Sequence, residues 1–374
     1  MRDDAFASAL VEGIAGLLRK HTSEPGQSPD VSALIKEAAA GGWLDIMEAG
    51  LSASAEVSLE NALLVSETLG RHLAPFPLVV AGGLIKPILT GVEPGRFSAR
   101  IESWLEEGAV VAVPRPELLV DENDPRQGCF VLSGDVRVED VGGTPRLFGA
   151  ADRLTGGEAQ AVLVSVGKSL AAVPTDVRGV TLTSIPTVIP GFDAGRVHFD
   201  GVALDEIYVA DANIDEAVHN ASMTWSLALD AYAVGACREM VATAVPFLLA
   251  REQFGRPIGS FQAVQHLAAD MLIAAETSYS CLLAAARSVA DSSSAALPTV
   301  VASRLHCSAA AISACQTAIQ LHGGIGFTWE MGLHFWYRAA QFAQNYLTDI
   351  PELREFLARC LGDSSVEAGK VAGI

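Results

Sequence analysis

Between two long apolar helical patterns the chain reads Arg251-Glu252-Gln253-Phe254-Gly255-Arg256-Pro257-Ile258-Gly259-Ser260-Phe261-Gln262-Ala263-Val264-Gln265. Gly255 admits backbone angles closed to other residues, and Pro257 fixes its own φ and lacks an amide hydrogen. One helix must therefore stop here and another must start near Phe261. The break leaves Arg251, Gln253 and Phe254 together at a helix end: a permanent cation, an amide and an aromatic ring. That set suits a diphosphate beside a planar heterocycle. It equally suits a helix–turn–helix corner whose arginine is only solvated, and the residues alone leave both readings open.

The rest of the chain divides by its hydrophobic period. Residues 1–107 read as helical. Apolar residues recur at helical spacing over 5–18, a loop with two prolines spans 22–30, and a helix over 31–40 ends at Gly41-Gly42. Residues 59–73 are amphipathic, and Pro75 and Pro77 then interrupt the run. Over 108–210 the pattern changes to β-branched runs at 109–113, 129–138, 161–166, 180–188 and 197–209, which predict a small antiparallel β-domain. Residues 221–361 return to helix, with long patterns over 221–252, 261–291, 298–321 and 331–346 and a shorter one over 351–361. The small, polar tail beyond Leu361 is expected to fray. The long helices are alanine-rich and apolar nearly all round, so they are expected to be buried on several sides. A four-helix bundle that also packs against a neighbouring subunit meets that need, and an obligate multimer is expected. The expected fold class is thus mainly α with a middle β-domain.

Composition narrows the partners. The net charge of −19 on 374 residues argues against nucleic acid or an anionic membrane surface. It leaves room for an anionic cofactor held by a few local arginines. The six cysteines are scattered and form no C-x-x-C, so they read as buried thiols in a reducing compartment, and a cytoplasmic location is expected. Met1-Arg2-Asp3-Asp4 opens no signal peptide, and no apolar run approaches the roughly 18 residues of a membrane span. The histidines show no H-E-x-x-H or other ligand spacing, so no metal is expected.

Two motifs carry a resemblance. Arg251-x-Gln253-Phe254-Gly255-x-Pro257-Ile258 with Phe261-Gln262-x-x-Gln265 is one, and Gln320-Leu321-His322-Gly323-Gly324-Ile325-Gly326-Phe327 is the other. Both resemble the acyl-CoA dehydrogenase family, as do residues 67–78 and 197–204. The likeness extends over most of the chain and is most specific in the C-terminal third. It implies an N-terminal helical domain (1–107), a small β-barrel-like middle domain (108–210) and a C-terminal four-helix bundle (211–374). It also implies flavin adenine dinucleotide (FAD) shared between two subunits. The middle domain of one subunit holds the ring, and groups of its neighbour hold the adenosine diphosphate end. Arg251, Gln253, Phe254, Gln320, Gly323 and Gly324 fall on the positions of that neighbour. An acyl-CoA substrate and electron-transfer flavoprotein as acceptor are implied in the same way.

The catalytic positions depart from the family. A dehydrogenase of this kind needs a carboxylate within reach of the substrate α carbon. The two places where the family carries its glutamate are held here by Leu347, within Tyr346-Leu347-Thr348-Asp349, and by Trp225. Neither can take a proton. Asp349 is a weak substitute, better suited to capping the helix that begins near Pro351. The segments that would contact the flavin ring read Val113-Pro114-Arg115-Pro116 and Val138-Glu139-Asp140. Two carboxylates beside a flavin would oppose its reduction. Groups offered to a neighbour's FAD are present, while those for the chain's own flavin and its chemistry are absent. That division resembles the non-catalytic subunit of the heteromeric acyl-CoA dehydrogenases of actinobacterial steroid side-chain catabolism. It implies a homologous catalytic partner, one flavin per unlike pair, and a bulky acyl-CoA such as a sterol side-chain thioester. A self-sufficient homotetrameric dehydrogenase with a relocated base and a flavin-free structural or regulatory protein are the alternatives.

Overall fold

The structure, a computed structural model, describes residues 4–21, 29–52, 56–124, 126–189, 191–210 and 214–371. Most of the loop expected over 22–30, and the chain start at 1–3, lie outside the described residues. The first helices are α1 (Asp4–His21), α2 (Val31–Ala40), α3 (Trp43–Ser52) and α4 (Glu56–Arg71). Asp30 caps α2 by accepting the Ala33 amide at 2.9 Å, and the helix stops at Gly41 as its glycines require. Pro75 and Pro77 begin a helix rather than only interrupting one. Pro77 sits in the first turn of α5 (Phe76–Val80), where no amide hydrogen is needed. A π-helical turn, Ala81–Ile85, carries α5 into α6 (Lys86–Thr90), and the whole run is buried up to Leu89. The helical part closes with α7 (Arg96–Glu107).

The middle region packs two four-stranded sheets face to face. One orders β1 (Val111–Ala112), β6 (Ala161–Val166), β7 (Ser169–Pro174) and β10 (Tyr208–Ala210). The other orders β4 (Asp135–Val141), β5 (Thr144–Leu154), β9 (Ala194–Ala203) and β8 (Val180–Ile185). A hairpin of β2 (Pro116–Val120) and β3 (Gly128–Leu132) lies beside them. Alternate residues of both sheets, among them Val162, Val164, Leu147, Val197 and Phe199, meet in one apolar core, as period-two patterning requires. The all-antiparallel expectation needs one correction: β1 runs parallel to β6. A two-residue strand entering straight from α7 has no room to turn back.

The bundle comprises α8 (Asp215–Ala250), α9 (Gln262–Ala290), α10 (Ala296–His322) and α11 (Leu333–Gln344), followed by α12 (Ile350–Val371). The expected fraying beyond Leu361 is overturned, because α12 continues to Val371. Helix α8, 36 residues long, is the spine. It crosses α4 with the backbones in contact: a Cβ on Gly235 would lie 2.0 Å from the Glu67 carbonyl, and one on Gly70 2.0 Å from that of Tyr232. Arg238 grips the Glu67 carboxylate beside this crossing at 2.8 and 2.9 Å. On its other side α8 offers Asp230 to Arg304 of α10 at 3.2 Å and to the Ser303 hydroxyl at 2.6 Å, all within the core. Burial pushes the Asp230 carboxyl up to about 6 against the pull of Arg304 and Ser303. Helices α8 and α9 are long and apolar enough, by length and composition, to cross a membrane, which corrects the sequence expectation. Its many buried residues and the buried Asp230–Arg304 pair place α8 at the centre of the bundle.

Two tests follow from this packing. Gly235→Ala adds helix propensity, worth about 1 kcal/mol, yet forces a methyl into the α4 backbone. It is expected to lower the unfolding free energy by roughly 1–3 kcal/mol in urea titration. His219 of α8 accepts the Phe130 amide at 3.2 Å and stacks on the Phe130 ring. Burial holds its pKa below the ordinary histidine value, with Glu216 opposing. The unfolded chain then takes up the proton first. The stability from neutral His219 is whole above the unfolded pKa and is lost as pH falls from there toward the folded value. The thermal midpoint of His219→Gln should therefore fall less between pH 7 and pH 5 than that of the wild type.

Candidate functional site

Helix α8 ends at Ala250, and Arg251 turns extended, with φ −75° and ψ 120°. The expected helix end is in fact a miniature hairpin of β11 (Glu252–Gln253) and β12 (Arg256–Pro257). Its two tip residues, Phe254 and Gly255, both have positive φ, 54° and 79°, as a tight two-residue turn demands. A phenylalanine is rarely found there. The residue is 92% exposed and its ring meets that of Phe261 in a T-shaped arrangement, with Arg256 lying 4.1 Å over the Phe261 ring. The Ile258 amide donates to the Arg251 carbonyl at 2.8 Å and pins the hairpin to the helix.

The second motif arrives at the same end of the bundle. His322, in the last turn of α10, stacks on Phe247 in the last turn of α8 with centroids 4.3 Å apart, and its Nδ1 lies 2.7 Å from the Ala318 carbonyl. Gly323 then breaks the helix with φ 63° and ψ −139°, angles that a side chain would not tolerate. A Cβ on Gly326 would meet the Ile319 carbonyl at 2.6 Å, so the turn folds tightly back on α10. Arg251, Gln253, Phe254, Gln320, Gly323 and Gly324 are thus gathered at one end of the bundle, all exposed. Among the described residues, the side chains of Arg251, Gln253 and Gln320 have no hydrogen-bond or ion-pair partner. Leu249, Ile325, Phe327 and Trp329, close to them along the chain, are exposed as well. A free guanidinium, two free amides, an open glycine turn and a bare ring can hold a diphosphate and a flat heterocycle brought from outside.

The other candidate region lies between the middle domain and the bundle, and it is filled. Phe76 of α5 meets Phe192, Trp225, Phe342 and Tyr346 with ring centroids 5.0–5.6 Å apart. Trp225 and Leu347 are wholly buried, and the Trp225 Nε1–H donates to the Tyr346 carbonyl at 2.7 Å. The segment 345–349 is then stitched to the middle domain. Tyr346 donates its hydroxyl to the Leu154 carbonyl at 3.2 Å, and the Thr348 hydroxyl accepts the Leu118 amide at 2.6 Å. Arg115, buried, donates to Asp349 at 2.6 Å, to Glu117 at 2.8 Å and to the Asn345 carbonyl at 3.3 Å. No local sequence signal announces this closure, because Phe76, Phe192 and Phe342 come from three distant segments.

Several sequence expectations change here. The Asp349 side chain does not cap α12; it is held by Arg115 and, at 3.3 Å, by Arg153, while its backbone carbonyl accepts the Leu353 amide. The hydrogen bond from Arg115 keeps its carboxyl below the usual range, so it is a poor proton acceptor. Glu139 and Asp140 do not face the cleft. Glu139 pairs with Arg137 at 2.7 Å, and Asp140 accepts the Gly143 amide at the exposed tip of the β4–β5 hairpin. What remains open beside Arg115 is a cavity of about 540 Å³. Its walls carry Glu117, Asp135, Asp152, Asp349 and Glu352 against Arg115 and Arg153, an acid excess that repels a phosphate.

Residues 225–347 match the model of the acyl-CoA dehydrogenase C-terminal domain. Over that segment the chain is similar to the acyl-CoA dehydrogenase family. It is 44% identical over 121 residues to acyl-CoA dehydrogenase FadE34 of Mycobacterium tuberculosis, covering 32% of this chain and 17% of that one. A second relative there, acyl-CoA dehydrogenase IpdE2, is 41% identical over 31% of this chain and 35% of its own length. The chain therefore spans well under two thirds of both. IpdE2 of Mycolicibacterium smegmatis is 28% identical across 88% of this chain and 91% of that protein. Among solved structures, PigA with FAD and proline superposes with a TM-score of 0.77 at 18% identity, covering 97% of this chain and 98% of that one. A variant of the Tcur3481-Tcur3483 steroid ACAD gives 0.72 at 20% identity, with coverage of 96% and 99%. These likenesses show the fold.

Asp349→Ala leaves the buried Arg115 with Glu117 alone. The loss of a charge-assisted hydrogen bond is expected to cost about 2 kcal/mol of stability in chemical unfolding. Turnover of the assembled enzyme is expected to stay within a few-fold. A drop of ~10²–10⁴ in kcat with the fold intact would instead mark Asp349 as a general base.

Proposed function

We propose that this chain is the non-catalytic subunit of a flavin-dependent acyl-CoA dehydrogenase, completing the FAD site of a homologous catalytic partner. The single observation that carries this reading is the contrast between the two regions. The exposed cluster at the end of α8 is free to bind, whereas the cleft that would hold a ring and a substrate is packed with side chains. The residues fit one end of FAD only. Arg251 would take the diphosphate by paired charge-assisted hydrogen bonds, Gln253 and Phe254 would lie along the adenosine, and Gln320, Gly323 and Gly324 would supply amide and backbone contacts. In the cleft, Arg115 joined to Asp349 and the aromatic packing behind close the interior, and the space left beside them is lined by an excess of carboxylates that would oppose a reduced, anionic ring.

When bound, FAD would supply a hydride acceptor for the acyl β carbon. The α proton must go to a carboxylate of the partner, because Trp225 and Leu347 stand at the two possible positions here. This chain's part is to fix the adenosine end and, through the apolar residues around Arg251, to exclude water from it. A bulky acyl-CoA such as a sterol side-chain thioester is the substrate we assign, supported by the likeness to the IpdE2 proteins and by the steroid ACAD neighbour. Electron-transfer flavoprotein is the acceptor expected of such a pair. The six cysteines form no disulfide, which supports a cytoplasmic setting.

The test is FAD affinity of the reconstituted complex by fluorescence titration. Arg251→Ala, made only in this chain, removes charge-assisted hydrogen bonds contributing roughly 1.5–3 kcal/mol each, so the dissociation constant should rise about tenfold or more. Arg251→Lys should recover part of the loss, and excess FAD should restore much of the activity. Unchanged affinity would sink the shared-cofactor reading.

A further inference from the structure

The two halves of the exposed cluster come from different helices, and one buried side chain joins them. His322 closes α10, and Phe247 stands one turn before Arg251 at the end of α8. Their rings stack with centroids 4.3 Å apart and planes 23° apart. The Phe247 carbonyl accepts the Arg251 amide at 2.8 Å, so the residue that stacks on His322 also sets where the chain leaves α8. On the α10 side the imidazole is fixed as well. A carbonyl only accepts, so Nδ1, 2.7 Å from the Ala318 carbonyl, carries a proton and donates it. Immediately beyond, Gly323 turns with φ 63°, and Gly326 folds back so closely that a Cβ on it would lie 3.1 Å from that of His322. The ring therefore ties the root of the glycine turn to the root of the hairpin that carries Arg251, Gln253 and Phe254.

An imidazole is a costly choice for that place. His322 is 5% exposed, and its neighbours Ala318, Leu321 and Phe247 belong to or pack against an apolar cluster with Leu248 and Ile319. Its Nε2 is buried and has no hydrogen-bond partner among the described residues. A buried, unmet polar atom opposes folding, and an apolar side chain of similar size would avoid it. A cost of this kind beside a binding cluster marks a residue with a task beyond packing. We propose that His322 is a positioning residue for the cofactor: acting through Phe247, it holds Arg251 at the distance from Gln320, Gly323 and Gly324 that a diphosphate between them requires. The inference rests on the shared-cofactor reading above. The stack fixes the separation of the two helix ends, and the Nδ1–H bond fixes the ring that makes the stack. Leucine would fill the volume but has neither a flat face nor a donor. It would leave the two ends free to shift by more than the ~0.5 Å that a binding constellation tolerates.

The experiment compares affinity with stability. His322→Leu, made in this chain and assembled with the native partner, should raise the FAD dissociation constant about three- to tenfold in fluorescence titration. The thermal midpoint of the same complex, measured without added FAD, should stay at or above that of the wild type, because the unmet nitrogen is gone. His322→Phe keeps a ring for the stack and loses the donor, so its affinity should lie between the two. His322→Leu added to Arg251→Ala should weaken binding no further than Arg251→Ala does alone, since the effect passes through that arginine. Unchanged affinity in His322→Leu, additive losses in the double variant, or a loss of affinity that merely follows a fall in the thermal midpoint would each overturn the proposal. Arg251→Ala alone separates it from the reading beneath. If that change leaves FAD affinity intact, the shared-cofactor reading falls. If it weakens binding while His322→Leu does not, only the role of His322 falls.

Discussion

The bare-backbone crossing of α8 over α4 at Gly70 and Gly235 sets the position of everything functional in this chain. With Cβ positions 2.0 Å from the opposing carbonyls, the two helices cannot slide or roll without collision or loss of contact. Arg238 holding Glu67 on one flank and Asp230 holding Arg304 on the other fix the remaining freedom. The Asp230 pair is expensive to bury, and the cost is partly offset by a second donor from Ser303 and by the Ala343 carbonyl taking the other arm of Arg304 at 2.6 Å, while the Arg304 Nε stays unpartnered among the described residues. One helix therefore has both its ends located by a single rigid node near its middle.

The two ends serve opposite purposes. Toward the N-terminus, Trp225 is driven into the seam between domains, where its indole nitrogen and four other aromatic rings remove the space and the water that chemistry would need. Toward the C-terminus, the same helix stops in open solvent and presents a cation that has no counter-charge among the described residues. Coulomb attraction is weak at such a surface until a partner covers it and lowers the local dielectric. A cluster of this kind would gain strength only when covered, as the proposed function requires.

Much of this is legible in the residues. Gly255 and Pro257 announce the break that separates α8 from α9, and the Gln320 to Gly324 run announces the end of α10. The helix–strand–helix order follows from period alone. Distances between segments are not legible. Nothing local distinguishes Phe76, Phe192 and Phe342 from other core residues, and only the fold brings them onto Tyr346. The sequence neighbours of Asp349 suggest a cap, but Arg115, more than 200 positions away, decides what it does. Order along the chain assigns Glu139 and Asp140 to a cleft, and a hairpin tip carries them off it. Pro77 misleads for another reason: the same ring that ends a helix interior is at home in a first turn.

The closed cleft has a consequence for the history of such a protein. A glutamate introduced at position 347 would enter a site with no solvent exposure, where its charged form would be costly to bury. Making room for it would disturb the packing of Trp225 and Tyr346 and the nearby Arg115–Asp349 pair. On the proposed reading, division of labour between two homologous subunits, once written into a core in this way, would be hard to reverse. Loss of the partner would then leave a folded lineage with no simple path back to independence.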